Sequence, residues 1–224
     1  MRTKKYISQG ILLSAVIGLL FFSGKAGSDY NEGSWELRKE KNGIRVFTRT
    51  NEKSSFDLLK AECFMPYRLT QVLSLITDVE NHPRWVYNAT ETRPIKVTSP
   101  LDFYYYGVTD APWPASDRDL IFHVTASQNP NTKIIEIDVH CVPDMLPEVE
   151  GKVRVPRSHS TWTLKPAEKG VWVTYTLDID PGGSLPAWLV NMATVDGPYL
   201  SFEAMKKVLK ENNYQFKKFP NIVD

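Results

Sequence analysis

Val171-Trp-Val-Thr-Tyr-Thr-Leu-Asp-Ile-Asp180, followed by Pro181-Gly-Gly-Ser-Leu-Pro186-Ala-Trp-Leu-Val-Asn191, is the stretch whose reading decides the fold. Val171, Val173, Tyr175, Leu177 and Ile179 alternate with Trp172, Thr174, Thr176 and Asp178, the period-2 pattern of a strand with one buried face. Pro186 suits the first position of a helix, where its missing N–H has no intrahelical partner to lose. Trp188, Leu189, Met192 and Val195 then fall on one helical stripe. Gly197-Pro198 predicts a kink or break, after which Tyr199 to Glu211 sets Leu200, Met205, Val208 and Leu209 against Lys206, Lys207 and Lys210.

Working back from that junction, the chain shows a rhythm of short β segments separated by turn residues. Ile44 to Arg49 follows the turn pair Asn42-Gly43, and Phe56 to Phe64 reads as a second strand. Leu69, Val72, Leu73 and Ile76 share one helical face, in a helix ending near Asp78. Strand segments follow at Thr92 to Thr98, Phe103 to Val108, Leu120 to Ala126, Ile134 to Cys141 and Val153 to Leu164. Hairpin chemistry at Gln128-Asn-Pro-Asn131 and Ala167-Glu-Lys-Gly170 makes the sheet mainly antiparallel. The expected fold is α+β: a curved antiparallel sheet of about eight strands under a long C-terminal helix, with leftover space for a cavity of about 300–1,000 Å³.

The 224 residues carry 27 basic and 26 acidic side chains, a net charge of +1, with 42% hydrophobic and 24% charged residues, which excludes general disorder. The balance argues against a nucleic-acid partner, because phosphate binding needs a basic excess on one face. Arg2, Lys4 and Lys5 precede the uncharged stretch Ile11 to Phe22, only 12 residues long, and then the small residues Ser23 to Ser28. That layout reads as an export signal, or an uncleaved N-terminal anchor, over residues 1–26, with the folded domain at 30–214 and a periplasmic or secreted location. Removing Arg2, Lys4, Lys5 and Lys25 leaves 23 basic against 26 acidic residues, so the mature protein is mildly acidic at −3.

Catalytic and metal signatures are missing. His82, His123, His140 and His159 share no metal-like spacing with each other or with Cys or carboxylates, and neither a phosphate loop nor a nucleophile elbow occurs. No cofactor, metal or catalytic residue is therefore expected. Cys63 and Cys141 end apolar runs, which reads as two buried thiols and no structural disulfide. The densest local signal is Asp110-Ala-Pro-Trp-Pro-Ala-Ser-Asp-Arg118-Asp119, in which prolines stiffen a turn ahead of a strand and Arg118 beside Asp119 locks it to the sheet.

The segment Pro112 to Asp119 resembles the proline-flanked "RD" motif of the START lipid-transfer domains, the steroidogenic-acute-regulatory-related group of the helix-grip superfamily. Three further stretches match in order: Arg84-Trp85, Gly151 to Arg154 leading to Trp162-Thr-Leu-Lys-Pro166, and Thr174 to Asn191. The resemblance that they carry extends over about Trp35 to Asn212. The resemblance implies a START fold that encloses one apolar ligand beneath the terminal helix and has no enzymatic activity.

Strand alternation and that resemblance nominate a cavity wall of Trp85, Tyr104, Tyr106, Phe122, Val124, Ile137, Arg154, Trp162, Tyr175, Trp188 and Met192. An inward Arg154 needs a partner, either a ligand anion or a neighbouring acid. Met145 and Leu146, in a proline-bounded loop, are expected to form a lid or to touch a membrane during exchange. The functional expectation is a monomeric, exported binder of a lipid or other apolar small molecule that makes transient membrane contact. Two alternatives remain at this level: a helix-grip enzyme of the polyketide cyclase type, and an interaction module with a filled core.

Overall fold

The computed structural model describes residues 34–52, 54–185, 187–211 and 218–224, with 187–193 described by their backbone alone. The leader expected over 1–26, Pro186, and the side chains of Trp188, Leu189 and Met192 lie outside the described residues. Ten strands form one sheet: β1 (Glu36–Lys41), β2 (Ile44–Arg49), β3 (Leu58–Met65), β4 (Ala89–Ser99), β5 (Asp102–Thr109), β6 (Arg118–Gln128), β7 (Ile135–Cys141), β8 (Val153–Arg154), β9 (Arg157–Ala167) and β10 (Gly170–Asp180). The order across the sheet is β1-β2-β3-β10-β9-β7-β6-β5-β4, antiparallel throughout, while β8 pairs in parallel with the start of β6. Helix α1 (Leu69–Thr77) follows β3, and helix α2 (Ala187–Val208) follows β10.

The class matches the expectation, but the strand count does not. In β1, Glu36-Leu-Arg-Lys-Glu-Lys41 is charged at five of six positions, so it carries no apolar alternation to read. It survives as a sheet edge, where charged side chains face water and discourage pairing with other chains. The single strand expected over Val153 to Leu164 is two, since the chain turns at Val155-Pro156 and changes pairing partner from β6 to β7. Helix α2 continues through Gly197-Pro198, so the chain does not break there.

Inward residues of the sheet and the buried faces of α1 and α2 make one core, with Ile44, Met65, Leu73, Ile137, Leu164, Phe202 and Met205 fully buried. Gly170 opens β10 because a side chain there would collide with the Met65 backbone of the neighbouring strand. At the far C-terminus Phe219 and Ile222 enter the same core. Asp224 caps α1, accepting hydrogen bonds from the Thr70 N–H at 2.8 Å and its hydroxyl at 2.9 Å. A second, smaller cluster of Tyr106, Val108 and Ile121 lies on the opposite face of β5 and β6, with Ile95, Val142 and Leu146 packed on it.

Candidate functional site: an aromatic cavity

Between the sheet and α2 the core does not close. A cavity of about 300 Å³ remains, because the sheet and the one helix across it leave space that side chains fill only in part. Each strand contributes by parity. The wall takes Tyr105 and Thr109 from β5, Leu120, Phe122 and Val124 from β6, Val139 from β7, Ser158, Ser160 and Trp162 from β9, and Tyr175, Leu177 and Ile179 from β10. Ile76 of α1, His82 and Trp85 to Tyr87 close one side, and Gly197, Pro198, Ser201 and Phe202 of α2 form the roof. Gly197 lets the helix come close, since a Cβ there would sit 3.2 Å from the Tyr87 ring.

The rings interlock. Trp162 lies 4.4 Å from Tyr175 between centroids, 5.9 Å from Phe202 and 6.0 Å from Trp85, while Tyr105 lies 5.0 Å from Phe122 and 5.3 Å from His82. Tilted, edge-on and stacked ring pairs of this kind are each worth about 0.5–1.5 kcal/mol beyond their area burial. The wall is therefore preformed.

Its polar groups are few and uncharged. His82 is buried in the short helical turn Val79–Arg84, and its Nε2 lies 2.9 Å from the Ile76 carbonyl, which fixes Nε2 as the protonated nitrogen of a neutral ring. Burial pulls its pKa down to about 4, the hydrogen bond to Ile76 and the charge of Asp78 only partly opposing it. Burial also pushes the Tyr175 hydroxyl up to about 12, against the opposing effect of its hydrogen bond to Ser160, and raises Tyr105 as well. Among the described residues no Asp, Glu, Lys or Arg lines the cavity. Of the cavity's polar groups, the Trp85 indole N–H is buried without a hydrogen-bond partner.

Of the residues nominated from sequence, Trp85, Phe122, Val124, Trp162 and Tyr175 meet at this cavity. Ile137 faces inward but is consumed by the core, directly across from Trp162. Tyr104 and Tyr106 project from the other face: Tyr104 stacks on His123 at 4.1 Å, and Tyr106 sits in the small outer cluster. Tyr105 takes the inward position instead. Four consecutive aromatics, Phe103 to Tyr106, offer no alternation from which parity could be read.

Arg154 is also on the outer face, and its partner is an acid. Its Nε and Nη2 bind the two oxygens of Asp119 at 3.1 and 2.8 Å, with side-chain exposures of 7% and 0%. The same guanidinium donates to the carbonyls of Pro143, Leu146 and Pro147, so it gathers the loop after β7 around itself. That loop is no lid over the cavity. Leu146 packs on the outer cluster, and Met145 is exposed beside it. Arg118 donates to the carbonyls of Ser116 and Gly182, which ties the loop before β6 to the loop after β10. His82, Tyr105, Ser158 and Ser160 were missed because a histidine in a turn and serines in a strand carry no apolar signal. Cys63 and Cys141 are free thiols, each pushed up to about 12 by burial.

The START domain family model matches residues 27–214. The chain belongs to the START family. A STAR-related lipid transfer protein from Xanthomonas axonopodis is 34% identical with a TM-score of 0.74, over 79% of this chain and 99% of that one. An uncharacterized protein of Pseudomonas aeruginosa, PA1579, is 29% identical over 204 residues, 91% of this chain and 99% of its own. Mouse START domain-containing protein 10 is 28% identical over 185 residues, 80% of this START chain but 61% of the mouse protein. START homologues are lipid-binding and lipid-transfer proteins rather than enzymes, which favours binding over the cyclase alternative.

Proposed function

We propose that this START protein is an exported, monomeric carrier that holds one lipid or other apolar small molecule in the aromatic cavity and moves it between membranes. The cavity carries the reading: about 300 Å³ of partly open space beneath α2, walled by rings and aliphatic side chains. Apolar ligand surface taken out of water there contributes about 25 cal/mol per Å², so a chain or ring system is held largely by transfer free energy. Export rests on the basic, apolar and small-residue layout of residues 1–26.

Exchange needs a mouth. Thr109 and Leu120 line the cavity on either side of the loop 110–117, so this loop stands at one end of it. Trp113 at its tip is 90% exposed. An exposed indole suits the membrane interface, where one end of the ring is dry and the other wet. The loop 110–117 thus takes over the membrane-contact role first assigned to Met145 and Leu146.

The test is native mass spectrometry of protein purified from its own membrane-containing source, paired with lipid transfer between vesicles. A bound lipid mass and protein-dependent transfer are the expected results. An apo mass with substrate turnover would instead favour the cyclase reading, and an apo mass with no transfer would favour the interaction module.

A further inference from the structure

Among the described residues two buried side-chain polar atoms lack a hydrogen-bond partner, and both are donors: the Trp85 indole N–H and the Arg118 Nε–H. Trp85 lines the cavity, and Arg118 stands at the end of it. Taking the lipid-binding reading as its basis, we infer that Arg118 receives an anionic headgroup, a carboxylate or a phosphate, of an amphiphile whose apolar part occupies the cavity.

Parity and pairing place the guanidinium. Arg118 opens β6 with the same parity as Leu120, and its partner on β5 is Thr109; Leu120 and Thr109 both line the cavity. Its Nη1 donates to the Ser116 carbonyl and its Nη2 to that of Gly182, just past Ile179, another cavity residue. The guanidinium thus bridges the loop that carries Trp113 and the loop after β10, at the end of the cavity where exchange needs a mouth. Gly182 and Gly183, with φ of 66° and 63°, bring bare backbone up to it, and a Cβ on Gly183 would sit 3.7 Å from Nη2. Arg118 is only 8% exposed, and burial pulls its pKa down against the charge of Asp117, whose Oδ1 accepts from the Ala111 N–H. Arg154 shows a satisfied guanidinium, its Nε and Nη2 bound by both oxygens of Asp119 at 3.1 and 2.8 Å. On Arg118 the same edge has Nε unmet and Nη2 on a neutral carbonyl at 3.3 Å. A buried cation held only by neutral groups is unfavourable, and a carboxylate or phosphate fits that edge with two parallel, charge-assisted hydrogen bonds.

Calorimetric titration at pH 8 tests this with decanoate, decyl phosphate and 1-decanol, each below its micelle-forming concentration, and with inorganic phosphate alone. At least one of the two anionic amphiphiles is expected to bind about tenfold more tightly than 1-decanol, and the tighter of them names the headgroup. Arg118→Gln should erase that preference and leave 1-decanol within about twofold, whereas Arg157→Gln, which removes a half-exposed arginine from the outer face, should keep it. If Arg118→Gln fails to fold, Arg118→Lys keeps the charge without the fork and should cut the preference several-fold. 1-Decanol bound as tightly as both anions, or an undiminished preference in the Arg118 variant, overturns the headgroup role and leaves the lipid-binding reading standing. Inorganic phosphate bound as tightly as decyl phosphate also overturns it, because the site would then serve a free anion. Were none of the three amphiphiles to bind, the lipid-binding reading itself would fall, and this inference with it.

Discussion

The two faces of β5 and β6 solve opposite problems. On the inner face Tyr105, Leu120, Phe122 and Val124 border a cavity to which no described residue brings a formal charge. On the outer face Asp119 receives Arg154, His123 pairs with Asp102 at 2.9 Å, and only a three-residue cluster is dry. The charge-bearing chemistry of the outer face is therefore scaffold, and the inner face that lines the cavity is hydrophobic and aromatic. Side chains one residue apart on the same strand serve different ends: Asp119 holds a loop in place, and Leu120 lines the cavity.

Breaking the outer clamp should have the largest effect. Arg154→Met strands a buried Asp119 carboxylate and frees three carbonyl contacts, with an expected loss of about 3–5 kcal/mol in denaturant unfolding. The double change Arg154→Met with Asp119→Leu should recover much of that, because the unpaired charge is gone. Ligand affinity of the folded fraction should be unchanged in both, and a loss of affinity there would return Arg154 to the binding site.

The inner face yields a pH signature. A folded-state pKa of about 4 for His82, against 6.5 for an ordinary imidazole, means that the unfolded chain binds a proton that the native protein excludes. Stability from this residue is complete above pH 6.5 and falls as pH drops toward 4, by about 3 kcal/mol in total. Urea midpoints between pH 7 and pH 4 measure it, and His82→Phe should flatten that part of the slope.

Leu146→Asp should destabilise the protein by about 1–2 kcal/mol, through lost packing on Tyr106 and Ile121, without altering lipid transfer. A slowed transfer at unchanged stability would restore the lid role. The smallest stability effect is expected at Trp113. Trp113→Ala removes a side chain that touches solvent, so unfolding should shift by no more than about 0.5 kcal/mol while transfer between vesicles slows several-fold.

Much of the fold was legible because alternation and turns are local signals. Ile44–Arg49 and the strand reaching Asp180 stand within a residue of where the pattern put them, as does α1. The hairpin at Asn129 follows its turn chemistry, with the Asn129 side chain accepting from the N–H groups of Asn131 and Thr132. β1 escaped notice because edge strands are coded by charge rather than by apolar period. The division at Pro156 escaped because nothing local says that a strand changes partner. The site was legible only where parity was: Phe122, Val124, Trp162 and Tyr175 come from alternating strands, and the Tyr104–Tyr106 error comes from a run that does not alternate.

The sequence by itself determined the α+β class, the order of most elements, the START resemblance and an aromatic inner face, since periodicity, turn residues and motif order are properties of neighbours along the chain. Only the tertiary structure decided which charged groups meet and where space is left. Arg154 and Asp119 are separated by 35 positions and come together through the parallel pairing of β8 with β6. The cavity, its uncharged described lining and the unpartnered Trp85 indole N–H arise from how the sheet meets α2, a fit between surfaces distant in sequence that no local pattern encodes.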